Sequence, residues 1–310
     1  MSEYSIDRAI WQGRIDPEPD STRWHQMIQP FTPAAQQGVV LVGFCCDEGV
    51  RRNHGRIGAA SAPDIIRHAL ANMAWHGSRS VFDAGNIHCV DGTLEKAQKK
   101  LATRLANPLK QGNLPIVLGG GHEVAFASWS SLRRYLRTDV KNIGIINFDA
   151  HFDLRDPHFI HSSGTPFAQI AEQCQSLGWP FHYAVLGISR PSNTRALFAV
   201  AEKYRVWVVE DENIHVAHLP QLQAQLHTWM QDKDGIYVSF DIDVLPAWQA
   251  PGCSAPAALG VELNLLLPLL QQIKRSGKLL LADLAEVNPL FDRDNHTAKV
   301  AARIIECLAR

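Results

Sequence analysis

At 310 residues, with 46% hydrophobic and 20% charged side chains, the chain has ample material for a large core and could form one large α/β domain or two smaller ones. Its formal net charge is −1 and it holds no Lys/Arg-rich run, which argues against nucleic acid as a partner. No segment approaches the ~18 consecutive apolar residues of a membrane span. The opening MSEYSIDRAIW lacks a basic region followed by an apolar stretch, so no signal peptide is expected.

In chain order, residues 1–37 mix Trp11, Trp24 and several prolines and read as an irregular N-terminal arm. From Gly38 onward, short apolar runs alternate with helix-like segments. Strands are expected at Val39–Phe44, Ser80–Phe82, Pro115–Leu118, Ile143–Phe148, Tyr183–Leu186, Val206–Val209, Ile236–Phe240 and Leu279–Leu284. Helices are expected at Ala62–Met73, Leu94–Leu105, Glu123–Leu136, Thr194–Tyr204, Leu219–Trp229, Val261–Lys274 and Thr297–Leu308. Continuous rather than alternating apolar strands imply a mostly parallel sheet of about eight strands covered on both faces, a three-layer αβα fold. With no internal repeat or linker, residues 1–310 read as a single domain. The six cysteines (Cys45, Cys46, Cys89, Cys174, Cys253, Cys307) form no CxxC pair or compact framework, which fits reduced, buried thiols in a cytoplasmic protein.

Such sheets collect chemistry beyond the carboxyl ends of their strands, and three strand ends here are unusual. Pro115–Leu118 runs into Gly119-Gly120-Gly121-His122-Glu123, a turn whose glycines let the backbone come close to whatever His122 addresses. Alone, a histidine there reads as readily as a capping or packing residue. Ile143–Phe148 runs into Asp149-Ala150-His151-Phe152-Asp153. Residues two apart in extended chain face the same way at ~6.6 Å, so Asp149 and His151 share a site and a modest bend adds Asp153. A solvated loop fits poorly, because Phe148, Ala150 and Phe152 interleave and unpaired buried carboxylates are costly. Ile236–Phe240 runs into Asp241-Ile242-Asp243, a second pair of carboxylates on one face.

Four aspartates in one cleft carry a formal charge near −4, which two divalent cations compensate. Such a pair, ~3.5–4 Å apart, shares one water and converts it into a nucleophile. Oxygen-rich ligation with some imidazole suits Mn²⁺ better than Mg²⁺ or Zn²⁺. The residues alone therefore point to a binuclear metallohydrolase.

At this point the chain resembles the ureohydrolase (arginase/agmatinase) family, whose GGGHE, DAHxD and SxDxD blocks stand here as Gly119–Glu123, Asp149–Asp153 and Ser239–Asp243. Asp283-Leu-Ala-Glu286-Val-Asn288-Pro289 is similar to its final strand and substrate-facing glutamate. The resemblance implies two Mn²⁺ per subunit, one held by His122, Asp149, Asp153 and Asp241, the other by Asp149, His151, Asp241 and Asp243. It also implies Asp153 as the proton carrier and Glu286 as the partner of the cationic C–N group. Asp47–Asn53 with Gly55-Arg56 and Gly58-Ala59, the N-terminal Trp11–Arg14 and Arg23–Gln26, and the loops Ser163–Phe167 and Ile188–Thr194 look like the formimidoylglutamase branch.

That branch implies hydrolysis of N-formimidoyl-L-glutamate, a linear amidine and small-molecule substrate, to L-glutamate and formamide in histidine breakdown, by a homo-oligomer. Asn193 is then expected at the substrate. Arg155 is expected to clamp a substrate carboxylate, with a surface salt bridge to Asp156 as the bland alternative. Arg51, Arg52, Arg56 and Arg190 are further candidates. Arginase-like members place a shuttle histidine where Ser163 stands, leaving His161 as the neighbouring substitute. The competing readings are a guanidino-compound hydrolase and a non-catalytic metal-binding regulatory protein.

Overall fold

Apolar runs that do not alternate must bury both of their faces, and the computed structural model, which describes residues 6–135 and 142–310, does so with one nine-stranded sheet. The strands are β1 (Gln29–Pro30), β2 (Gly38–Cys45), β3 (Ser80–His88), β4 (Leu114–Leu118), β5 (Ile143–Phe148), β6 (His182–Ile188), β7 (Trp207–Glu210), β8 (Gly235–Asp241) and β9 (Leu279–Ala285). They lie in the order β1-β3-β2-β4-β9-β8-β5-β6-β7, and the pairings between them are parallel.

Side-chain alternation along each strand feeds two separate cores. Val39, Leu41, Ile116, Ile146, Val238 and Phe240 pack one face with the helices α3 (Ala62–Ala71), α8 (Leu219–Gln231), α9 (Leu263–Arg275) and α10 (His296–Ala309). Val40, Val42, Val117, Ile145, Val185 and Tyr237 pack the other with α4 (Leu94–Lys110), α5 (Val124–Tyr135), α6 (Pro166–Leu177) and α7 (Arg195–Lys203). This is the three-layer αβα arrangement expected from the sequence.

The differences from expectation have physical reasons. The ninth strand is β1, which lies in the segment read as an irregular arm and pairs with β3 at the sheet edge. An edge is where Pro30, lacking an N–H, is tolerated. A short helix, α1 (Trp24–Met27), precedes it, and Trp11, Trp24 and Phe31 of the same segment are buried. Residues 1–5 of the arm and Leu136, the last residue expected in α5, lie outside the described residues.

Besides α1, two helices were not expected: α2 (Glu48–Arg52) and the twelve-residue α6. The signals for α6 are present in the chain. Pro166 opens it, Phe167, Ile170, Ala171 and Cys174 recur on one buried face, and Gly178 closes it in the left-handed conformation. Helix α4 continues past Leu105 through Pro108 to Lys110, because a proline that near a helix end removes few hydrogen bonds.

Sheet order, which sequence order conceals, makes β4, β9, β8 and β5 consecutive neighbours in mid-sheet. All run in one direction, so the loops after them meet at one place.

Candidate metal centre

The glycine turn after β4 is pressed against the end of β2. A Cβ on Gly120 would stand 1.7 Å from the Cys46 carbonyl oxygen, and Gly121 N–H donates to that same oxygen at 2.9 Å. Only glycine permits this approach, and it delivers His122 to the site. After β5, Asp149 Oδ1 accepts from His151 N–H at 2.7 Å, curling the chain so that both side chains face inward. Asp153 then takes a left-handed backbone, φ 50°, which turns its carboxylate back toward the same point. At the end of β8 a single 3₁₀ turn does the same for its pair, with Asp243 N–H donating to Asp241 Oδ1 at 2.8 Å.

These turns bring all six expected ligands together. His122 Nδ1 lies 2.9 Å from Asp153 Oδ2, 3.1 Å from Asp241 Oδ2 and 3.2 Å from Asp149 Oδ2. His151 Nδ1 lies 3.0 Å from Asp243 Oδ2 and 3.6 Å from Asp149 Oδ1. The donor atoms form two groups of metal-ligating geometry, His122/Asp149/Asp241 and Asp149/His151/Asp243, which share Asp149. Asp153 stands beside the first group. Asp241 turns Oδ2 toward that first group, while its Oδ1 accepts the Asp243 N–H.

A cation fits this arrangement on a specific observation. His122 Nδ1 is buried and makes no hydrogen bond of acceptable direction, although three carboxylate oxygens lie within 3.2 Å. Atoms that crowd together without pointing at one another are aimed at a common centre, as ligands are.

The row beneath the ligands explains how His122 is held. Asn147, Ser239 and Asp283 are register partners across β5, β8 and β9, each fully buried within an otherwise apolar strand. Ser239 Oγ donates its only hydrogen to Asp283 Oδ1 at 2.6 Å, so at its 2.9 Å contact with His122 it must accept from Nε2–H. That keeps a proton on Nε2 and turns Nδ1 toward the carboxylates, so that a cation there would take the Nδ1 lone pair. Tyr237 O–H donates to Asp283 Oδ2 at 2.6 Å, and Asn147 Nδ2 donates to Asp149 Oδ2 at 2.9 Å. Ser239 and Asp283 open two of the family blocks, but neither they nor Asn147 carried an expected role. Their signal in the sequence is a polar residue inside each apolar strand.

The electrostatics ask for cations. Burial first, then the charges of Asp243 and Asp149, hold the Asp241 carboxyl well above the usual range. Burial and Asp149 push Asp153 up to about 6. Burial works against a charged imidazole at His122, yet contacts with Asp149, Asp153 and Asp241 outweigh it and raise its pKa well above the ordinary value. His151 is raised in the same sense against burial, by Asp243 and Asp149. Burial at Asp149 is outweighed by contacts with His122 and His151, which hold its carboxyl below the usual range, so the two imidazoles supply the positive charge that Asp153 and Asp241 still lack.

Five of the six expected ligands, all but Asp149, line a cavity of about 340 Å³. Glu286, at φ 66°, reaches it from the end of β9. Its Oε1 accepts His122 N–H at 2.9 Å, and its Oε2 is buried and unpartnered. Burial, then the neighbouring Glu123, lifts Glu286 to about 8. Arg155 lines the wall, and among the described residues its guanidinium pairs with no carboxylate. Asp156 instead accepts from His158 N–H at 2.9 Å, so the bland salt bridge is not formed.

The other arginines are engaged. Arg51 and Arg52 pair with Glu48, Arg190 with Glu210, and Arg56 donates to the carbonyls of Ser254 and Cys253. Asn193 lines the cavity, but its carboxamide accepts Phe152 N–H and donates to the Ala150 and Ser189 carbonyls. It braces the ligand loop. His161 lies 3.9 Å from Glu95 and is not part of the cavity wall, whereas Ser163 is.

A parallel three-layer sheet with two carboxylate–imidazole groups at its strand ends makes a candidate metal centre, and the arginase-family model matches residues 37–309. The chain belongs to the arginase family. Among its relatives, the formimidoylglutamase of Aeromonas salmonicida (strain A449) is 52% identical over 315 residues, covering 100% of both chains. That of Aeromonas hydrophila is 54% identical over 309 residues, covering 98% of each. Among solved structures, Trypanosoma cruzi formiminoglutamase with Mn²⁺ superposes with a TM-score of 0.78 at 25% identity, covering 89% of this chain and 95% of the other. Formimidoylglutamase from Bacillus subtilis shares the fold with a TM-score of 0.84 at 23% identity, covering 96% and 93%.

Proposed function

We propose that the protein hydrolyses the formimidoyl C–N bond of N-formimidoyl-L-glutamate, giving L-glutamate and formamide in histidine breakdown. The observation that carries this reading is Arg155, an unpaired guanidinium beside a metal-ligand cluster in a small cavity, together with relatives named formimidoylglutamase at 52–54% identity. A substrate with two carboxylates and a short cationic head matches an arginine on the wall and an unspent carboxylate oxygen, Glu286 Oε2, near the floor. Agmatine, with no carboxylate, would draw nothing from Arg155.

Two Mn²⁺ per subunit fit the two ligand groups, with His122, Asp149, Asp153 and Asp241 assigned to one and Asp149, His151, Asp241 and Asp243 to the other. What such a pair supplies when bound is an acidified water and positive charge opposite the reacting carbon.

The chain's own residues do the rest. Arg155 holds a carboxylate through a bidentate pair. Glu286 accepts N–H bonds from the amidinium and orients its carbon over the ligand cluster. Asp153 takes a proton from the attacking water and returns it to the departing amine. Water oxygen becomes the formamide oxygen, and the C–N bond to the glutamate nitrogen breaks. Asn193 keeps the loop of Asp149, His151 and Asp153 in place.

We further infer a cytoplasmic enzyme built on one domain spanning 1–310, and a homo-oligomer, supported by exposed apolar side chains such as Phe159 and Leu290. Light scattering on the purified protein tests the last point. Arg155→Ala tests the substrate assignment. Loss of a partly exposed bidentate pair, about 2 kcal/mol, raises KM for N-formimidoyl-L-glutamate roughly 30-fold with little change in kcat. Unchanged turnover would remove Arg155 from the account.

A further inference from the structure

One wall residue of the cavity has no place in the chemistry above. His54 lines the same space as Arg155, is exposed, and among the described residues its ring makes no hydrogen bond or ion pair. Its backbone is unusual. Helix α2 ends in two reverse hydrogen bonds, from His54 N–H to the Arg51 carbonyl at 3.1 Å and from Gly55 N–H to the Val50 carbonyl at 2.8 Å. This is the Schellman arrangement, in which the residue at the position of His54 must adopt the left-handed conformation and is ordinarily glycine. His54 adopts it, at φ 59°.

A side chain at that position costs stability that glycine would not. Two other non-glycine residues lining the cavity have positive φ, Asp153 and Glu286, and both carry assigned chemistry. The strain at the cavity thus falls on residues that place a functional group there.

Position says what the ring does. Asn53, immediately before His54, places Oδ1 3.1 Å from where a Cβ on Gly164 would lie, and Arg155 Cδ and Nε lie 2.8 and 3.1 Å from the same point. The segment carrying His54 and the side chain of Arg155 therefore meet over Gly164, where only glycine leaves them room. In any protonation state an imidazole presents at least one N–H donor.

We propose that His54 is a specificity residue that donates a hydrogen bond to the second carboxylate of the substrate, the one Arg155 does not hold. This inference rests on the dicarboxylate reading of the site and extends it. Arg155 and His54 together make the rim a reader of two carboxylates.

The test is calorimetric binding to Mn²⁺-loaded protein of three probes: L-glutamate, L-2-aminobutyrate, which keeps only the α-carboxylate, and 4-aminobutyrate, which keeps only the distal one. The variants are His54→Gly, which suits the left-handed position, and His54→Gln, which retains an N–H donor. His54→Gly is expected to weaken L-glutamate and one of the two monocarboxylates about 10-fold and leave the other unchanged. His54→Gln stays within about 3-fold of the original protein. The thermal midpoint of His54→Gly is unchanged or higher, as relief of a strained cap requires.

An equal loss for all three probes, or no loss for L-glutamate, overturns the assignment. So does a His54→Gln loss as large as that of His54→Gly. If L-glutamate fails to bind the original protein while the metal does, the dicarboxylate reading itself falls, and this inference with it.

Discussion

Replacing Ser239 by alanine removes one hydroxyl that never touches the cavity, and it should weaken metal binding. In the structure that hydroxyl accepts His122 Nε2–H at 2.9 Å and donates to Asp283 Oδ1 at 2.6 Å, and all three groups are buried. Without it, the Nε2–H has no acceptor and Asp283 loses one of its donors. The imidazole is then free to turn or to hold its proton on Nδ1, the atom that must stay bare. A buried donor left unsatisfied costs about 1–3 kcal/mol. Loss of an outer partner to a metal-ligating histidine lowers metal affinity by about 10–100-fold. The latter is ~1.4–2.7 kcal/mol, which falls within the former range. The assay is Mn²⁺ titration against a competing chelator, with the original protein alongside. Two binding steps are expected, of which Ser239→Ala weakens one by at least 10-fold while leaving the other nearly unchanged, because His151 has no contact with Ser239. An affinity within two-fold at both steps would refute the reasoning that this buried row sets the tautomer of His122.

Other consequences are as open to measurement. Chelation should lower the melting temperature, since four converging carboxylates then face one another uncompensated; at metal levels 100-fold above Kd, two sites contribute about 5 kcal/mol. Spread over 310 residues at about 2.1 cal/mol/K each, that is a fall of roughly 8 °C by scanning calorimetry. Trp24→Ala should cost about 3–5 kcal/mol in denaturant unfolding, because Trp24 is fully buried against Trp75, with ring centroids 4.7 Å apart. A loss under 1 kcal/mol would mean that the N-terminal segment is an appendage and not part of the domain. Glu286→Gln keeps the acceptor for His122 N–H but removes the charge facing the amidinium, so kcat/KM should fall about 100-fold while Mn²⁺ affinity holds.

How much of this was legible beforehand depends on whether the cause was local. Continuous apolar strands and polar residues at two-residue spacing beyond them are local signals, and they point to the fold and to six candidate ligands at the strand ends. The row Asn147, Ser239, Asp283 was not legible, because it exists only once β5, β8 and β9 become neighbours, and strand order is a property of the whole sheet. Helix α6 was legible in principle from Pro166, its apolar spacing and Gly178. Its first residues also belong to the loop Ser163–Phe167, which masks the helix start. The arm looked irregular because Trp11, Trp24 and Phe31 follow no periodicity, yet each fills a pocket in a core built from distant segments. Asn193, expected at the substrate, lines the cavity, but its role as a brace depends on backbone groups that only the folded loop presents. His54 gave no signal, since its meaning lies in a left-handed cap that a glycine would ordinarily occupy.

The central claim is that this metal centre serves a dicarboxylate amidine. Purified, Mn²⁺-loaded protein given N-formimidoyl-L-glutamate, arginine, agmatine and guanidinobutyrate side by side tests it most directly, with formamide and urea as the readouts. Formamide from N-formimidoyl-L-glutamate and no appreciable urea from the other three are expected. Urea from any guanidino compound at a higher kcat/KM would contradict that claim.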